Sequence, residues 1–165
     1  MTCAVRASVA APALKKDFHV RPIQLVEAKS LGASAALLIV RALSPDRLRE
    51  MVDTARALAL EVLVEVRDER ELERALECGA TMIGVNNRDL ETLIIDPTTA
   101  ERVIPRIPGD VVAIAESGVR TREDVVRYAA CGADAVLVGS SISGAPDPVH
   151  ATRMIAAVPR RLRAH

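Results

Sequence analysis

Aromatic residues are almost missing: the 165 residues hold one Phe, one Tyr and no Trp. The core must therefore be aliphatic, and neither base stacking nor an aromatic membrane belt is available. An excess of charge is missing too, because Lys plus Arg equals Asp plus Glu at 22 each, with a pI near 6.8. No global basic field exists to draw in nucleic acid or a membrane surface. No run approaches the ~18 apolar residues of a membrane span. Cys3, Cys78 and Cys131 are odd in number, scattered and without CxxC spacing, so they read as reduced packing thiols of a cytoplasmic protein and not as metal ligands. The opening MTCAVRASVAAPAL weakly imitates an export signal, but its apolar segment is short and interrupted.

What is present suits a single domain over residues 1–165, within the usual size of roughly 100 to 200 residues. Half the residues are hydrophobic and 27% are charged, which excludes disorder as the default. Three segments echo one another: LGASAALLIV from Leu31, CGATMIGVNN from Cys78 and CGADAVLVGS from Cys131. Each has Gly-Ala, two variable residues and an apolar run, recurring at roughly 50 residues as internal repeats do. The Gly suits the left-handed residue that ends a helix, and the apolar run suits a parallel strand buried on both faces.

Filling the intervals gives a regular alternation. Strands are expected near residues 12–18, 36–40, 61–66, 82–86, 111–116 and 135–139, and helices near 21–31, 45–60, 68–78, 97–105, 121–131 and 147–162. Ser44 before Pro45, and Thr121 before Glu123 and Asp124, are helix start signals. Leu72, Ala75 and Leu76 form the apolar face of one helix. Six β/α units in series fit either an open doubly wound sheet or most of an eight-stranded barrel, which periodicity alone does not separate.

The polar residues lean towards the barrel. They recur at the carboxyl ends of the apolar strands: Lys16 and Asp17, Glu65, Asn86 with Asn87 and Arg88, Glu116 with Ser117, and Gly139 with Ser140. In a β/α barrel that end is the active face. Singly, each has a bland reading: an arginine-paired glutamate, asparagines that satisfy turn backbone, an edge lysine that blocks aggregation. ESGVRT and VGSS place Gly and Ser after successive strands, where backbone N–H groups can cradle a phosphate without basic side chains. Neighbouring strand residues face opposite ways, so of the adjacent Lys15 and Lys16 only one can point inward.

PALKKDF, LVEV, IGVNNRDL, AESGVRT and DAVLVGSS, in this order and at these separations, resemble indole-3-glycerol phosphate synthase, the ring-closing enzyme of tryptophan biosynthesis. The resemblance implies a TIM (β/α)8 barrel whose third to eighth strands are those above. It implies a carboxyphenylamino-deoxyribulose 5-phosphate that is cyclised, decarboxylated and dehydrated, with no metal and no organic cofactor. By the same resemblance Lys16 is the general acid and Glu65 assists proton transfer in the dehydration. Asn86 and Glu116 orient the lysine and the substrate hydroxyls, and Arg88 meets the substrate carboxylate. Phe18 walls the anthranilate ring, Ser117 lines the pocket, and Gly118, Gly139 and Ser140 cradle the phosphate. Lys15 then faces the helix layer or solvent. Ring closure and loss of a hydroxyl both need protons, so at least two titrating groups must converge. Lys16, Glu65 and Glu116, on alternate strands, are expected to share one layer.

Against the family pattern the sequence starts late: residues 4–9 resemble the end of the segment before the third strand. The first two strands are not matched, although in the family the first supplies a further glutamate and lysine. Three explanations follow. The sequence is a piece of an ordinary synthase, or a partial barrel completed by a second chain or a homo-oligomer through its strand edges, or a phosphate-binding protein without turnover. Pro22 matches the family, while Arg21 and Ile23 depart from it at the helix start. Another phosphate-binding barrel, such as phosphoribosylanthranilate isomerase, is the alternative enzyme, and LKKDF with GVNNRDL argues against it.

Overall fold

The computed structural model describes Ser8 and residues 10–160. Cys3 and all of segment 4–9 except Ser8 lie outside the described residues. By internal contacts the chain divides into two compact units, one built from residues up to 66 together with 70–82, the other from 67–69 together with the residues from 83 on.

The first unit holds β1 (Leu14–Lys15), α1 (Pro22–Ser30), β2 (Ala35–Ile39), α2 (Pro45–Ala57), β3 (Glu61–Val66) and most of α3 (Glu69–Glu77). Its strands lie in the order β1-β2-β3 and run parallel, with Leu14 opposite Ala35 and Ile39 opposite Glu65. Residues of both faces of β2 and β3 are buried, as a parallel sheet covered by helices requires. The core is aliphatic: Leu25, Leu38, Leu48, Met51, Leu63 and Val64 are fully enclosed. α2 starts where Ser44 accepts the Arg47 amide, with Pro45 next. A short 3-10 turn, Val40–Ala42, follows β2.

The second unit holds most of β4 (Met82–Asn86), then α4 (Thr98–Val103), β5 (Val112–Glu116), α5 (Arg122–Ala130), β6 (Ala135–Leu137), a one-turn helix α6 (Ser140–Ser143) and α7 (Pro148–Ala156). The strand order is β4-β5-β6; β5 and β6 are parallel, with Ile114 opposite Ala135 and Glu116 opposite Leu137. Thr121 caps α5 by accepting the Asp124 amide, while Asp124 accepts those of Arg120 and Thr121.

Four helices end alike. At α1 the amides of Gly32 and Ala33 return to the Lys29 and Ala28 carbonyls; at α3 those of Gly79 and Ala80 return to Leu76 and Ala75; at α5 those of Gly132 and Ala133 return to Ala129 and Tyr128. These are Schellman ends, and their glycines have φ of 81°, 76° and 99°. They are the three Gly-Ala echoes of the sequence. α2 ends the same way through the amides of Ala59 and Leu60, but there an alanine takes φ 47°. The sequence signal was silent there because the residue is not glycine.

Several boundaries differ from expectation. β1 stops at Lys15, because the Asp17 carboxylate accepts the Phe18 amide at 2.8 Å and turns the chain. α4 gives way to a 3-10 turn at Ile104–Arg106, where Pro105 lacks a helical donor. β6 ends at Leu137 and not at 139, because Gly139 (φ −121°, ψ −80°) leaves the extended region to open α6. α7 ends at Ala156, three residues before Pro159. Among the described residues no helix is long and apolar enough to cross a membrane.

Two predictions follow from these packing features. Gly79→Ala should cost about 1–2 kcal/mol by forcing a Cβ into the left-handed region, while Ala59→Gly should cost nothing or stabilise. Urea unfolding midpoints moving the same way in both variants would contradict this. Tyr128 is the chain's one tyrosine, and burial pushes its phenol pKa up. Its near-ultraviolet phenolate signal should appear above the usual midpoint of about 10. The neutral form is the one favoured by folding, so this contribution is complete below the unfolded pKa and fades as pH rises through the folded one. A midpoint at or below that of the urea-unfolded chain would contradict it.

Candidate active site

In the first unit the two lysines after Leu14 part company, as pleating demands. Lys15 turns to the helix side, its Nζ lying 3.7 Å from the Asp17 carboxylate and 3.8 Å from that of Glu27 on α1. Lys16 turns the other way and donates to Glu65 Oε2 at 3.1 Å. Glu65 is 3% exposed, one residue from the end of β3. A carboxylate so enclosed keeps its charge at tolerable cost only beside a cation or hydrogen-bond donors. Lys16 serves as such a cation while its own side chain stays 40% exposed. An acid and a base are thus in contact at the carboxyl ends of strands. Phe18, on the turn after Lys16, is 59% exposed and contributes nothing to the core.

In the second unit Asn86 and Glu116 are the last residues of β4 and β5, and both are buried. The side-chain oxygen of Asn86 accepts the Arg88 amide at 2.9 Å, a turn-forming bond. Arg88 donates through Nη1 to the Leu93 carbonyl and pairs with Ile95 across the loop, so part of its reach is spent on that loop. Ser117 and Gly118 follow with φ of 65° and 80°. A Cβ on Gly118 would sit 2.8 Å from Ile95 Cγ2, so the position has room only for glycine. Two successive left-handed residues, one of them a serine, store strain of the kind concentrated at functional sites.

Asn87 holds this turn in place. It is 0% exposed; its amide nitrogen donates to the Ser117 carbonyl and to the Tyr128 hydroxyl, both at 3.1 Å, and its oxygen accepts the Ala100 amide at 2.9 Å. One side chain thereby ties the loop after β5 to α5 and α4. The doubled asparagine was legible in the sequence, but not the division of labour between its members, which depends on the faces they take. Ser141 Oγ donates to the Val119 carbonyl at 2.7 Å, tying the loop after β5 to α6. Gly139 precedes α6, and a Cβ there would meet open space within 4 Å. Gly118, on the loop after β5, and Gly139 with Ser140, at the start of α6, are therefore on segments joined by that bond.

The two described cysteines play no such part. The Cys78 thiol donates to the Ala75 carbonyl and that of Cys131 to the Tyr128 carbonyl, each at 3.1 Å. Burial pushes both thiols up, which keeps them protonated and unreactive at neutral pH.

The fold is shared with solved structures of low sequence identity. A 3-hexulose-6-phosphate synthase from Salmonella typhimurium superposes with a TM-score of 0.79 at 18% identity, over 94% of this chain and 76% of its own. A mandelate oxidase superposes at 0.69 with 20% identity, over 94% and 57%. The fold is the TIM barrel, represented here by six of its eight β/α units. Among curated proteins, an indole-3-glycerol phosphate synthase of Mycolicibacterium smegmatis is 49% identical over 145 residues, covering 88% of this chain and 53% of its own length. One from Streptomyces griseus is 51% identical over 145 residues, covering 88% and 54%. The chain spans about half the length of the curated relatives it matches. The family model for indole-3-glycerol phosphate synthase matches residues 1–155, so the chain belongs to the indole-3-glycerol phosphate synthase family.

Proposed function

We propose that the chain carries the third to eighth β/α units of an indole-3-glycerol phosphate synthase, a carboxy-lyase of tryptophan biosynthesis. The observation that carries this reading is the Lys16–Glu65 pair, held at 3.1 Å at the strand ends of a chain belonging to that family. The substrate is 1-(2-carboxyphenylamino)-1-deoxyribulose 5-phosphate. As the aromatic ring carbon attacks the ribulose carbonyl carbon, Lys16 gives its proton to the carbonyl oxygen. Carbon dioxide then leaves the ring and restores aromatic electrons, and the new hydroxyl departs as water with Glu65 assisting the proton transfer.

The remaining residues bind. Asn86 and Glu116 orient the lysine and the substrate hydroxyls, and Arg88 meets the substrate carboxylate. Phe18 covers the anthranilate ring, its exposure being what a contact surface for an apolar ligand needs. Ser117 lines the site, and the Gly118 turn with Gly139 and Ser140 receives the phosphate, a role for which the Ser141–Val119 bond between the loops is support.

The site works in the cytoplasm, within one domain completed by further β/α units, from the same polypeptide or from a second chain. Support for completion comes from β6, whose Ala135 is exposed and whose Val136 and Leu137 are half-buried, although they are apolar residues of a parallel strand.

Rescue of a tryptophan-requiring strain that lacks the synthase tests the reading. The 165-residue chain alone should rescue poorly, and should rescue when supplied with the portion of the M. smegmatis relative that it does not match. Lys16→Met and Glu65→Gln in the rescuing pair should each lower turnover by about 100-fold or more. Failure of the wild-type pair when both parts are soluble and associated, or full activity of Lys16→Met, would overturn the proposal. Normal turnover by a verified monomer of the chain alone would overturn the need for completion.

A further inference from the structure

His19 lies on the turn between Lys16 and α1, is 2% exposed, and has no part in the chemistry described above. Its Nδ1 is 2.9 Å from the Leu37 carbonyl of β2, and its Nε2 is 3.3 Å from Lys15 Nζ. A carbonyl oxygen only accepts, so Nδ1 carries the proton. An ammonium only donates, and Lys15 Nζ lies beside the Asp17 and Glu27 carboxylates. Nε2 is therefore the acceptor, and the imidazole is neutral in its Nδ1–H form. Both ring nitrogens are spent on holding the turn: one against the neighbouring strand, the other against the residue just before Lys16.

We infer that His19 is a positioning residue: anchored on β2 and gripping Lys15, it fixes the turn so that Lys16 is directed at Glu65. Surface bonds also hold the turn. Asp17 Oδ1 takes the Phe18 amide, and Gln24 takes the amides of Val20 and Arg21 while donating to the Phe18 carbonyl, but these groups are at the surface. The His19 ring adds a buried attachment. Lys15 acquires a use as well: its charge is drawn to the helix side by Asp17, Glu27 and His19, which leaves Lys16 as the ammonium beside Glu65.

The inference rests on the reading of Lys16 as the acid, but its test does not use turnover. Lys15, Lys16 and Lys29 are the chain's three lysines, so amine acetylation followed by mass spectrometry reports on each separately. Lys29, which donates to the Ala59 carbonyl at 2.6 Å, is the control in the same unit. His19→Leu should speed labelling of Lys16 by about threefold or more, as loss of a half-exposed ion pair allows, with Lys29 unchanged. His19→Asn, whose amide can still donate to Leu37, should restore slow labelling at least in part. Long-range proton–nitrogen NMR of the unsubstituted chain should show the Nδ1–H form at neutral pH.

The Nε2–H form, an unaltered Lys16 rate in folded His19→Leu, or an equal rise at Lys16 and Lys29 would each overturn the inference. If His19→Leu does not fold, His19→Asn decides: keeping the bond to Leu37 but losing that to Lys15, it should show faster labelling of Lys16 than the unsubstituted chain with Lys29 unchanged, and an unaltered Lys16 rate or an equal rise at Lys29 would overturn the inference. Loss of rescue in Lys16→Met with a failed labelling result would leave the acid in place and remove only the role of His19. The reverse outcome would leave the clamp and remove the acid.

Discussion

A parallel strand is entered after the chain has reversed out of a helix, and at four of these entries the reversal runs through a residue in the left-handed region. Gly32, Ala59, Gly79 and Gly132 supply it after α1, α2, α3 and α5. In each case two amides turn back to helix carbonyls that would otherwise be left without partners. The next residues are then delivered in extended form, with Ala33, Ala80 and Ala133 buried directly behind the turn. Where a strand begins decides which residue ends it. Glu65 and Asn86 stand at or next to the last position of their strands for that reason.

Polar groups at those ends pose a burial problem, and the molecule answers it in two ways. Glu65 is paired with an ammonium that stays partly in solvent, so the charge is compensated without the lysine being enclosed. Asn87 is neutral and fully buried, and bonds to the loop after β5, to α5 and to α4. The first arrangement leaves a titrating group partly exposed. The second rigidifies the backbone that presents Ser117 and Gly118, at the cost of two left-handed residues in succession.

Most of the alternation of elements was legible in the sequence because its signals are local. Gly-Ala after an amphipathic stretch is a helix end, an apolar run of five is a buried strand, and Ser44 and Thr121 announce helices by accepting amides of the next turn. The errors arose where a competing local bond or a proline cut an element short: Asp17 at β1, Pro105 after α4, Gly139 at β6. At Ala59 an alanine does the work of a glycine, so no local signal marks that helix end.

The sequence by itself determined the aliphatic core, the parallel β/α alternation and the placing of polar residues at strand ends, since periodicity and helix-end chemistry act over a few residues. It also marked Lys15 and Lys16 as opposed, since adjacent strand residues must face opposite ways. Only the tertiary structure decided which lysine meets which carboxylate. That choice depends on Glu65, 49 positions beyond Lys16, and on His19, whose two nitrogens reach a neighbouring strand and the preceding lysine. It likewise decided that Asn87 braces the loops, because its partners Ala100, Ser117 and Tyr128 are remote in sequence and adjacent in the fold.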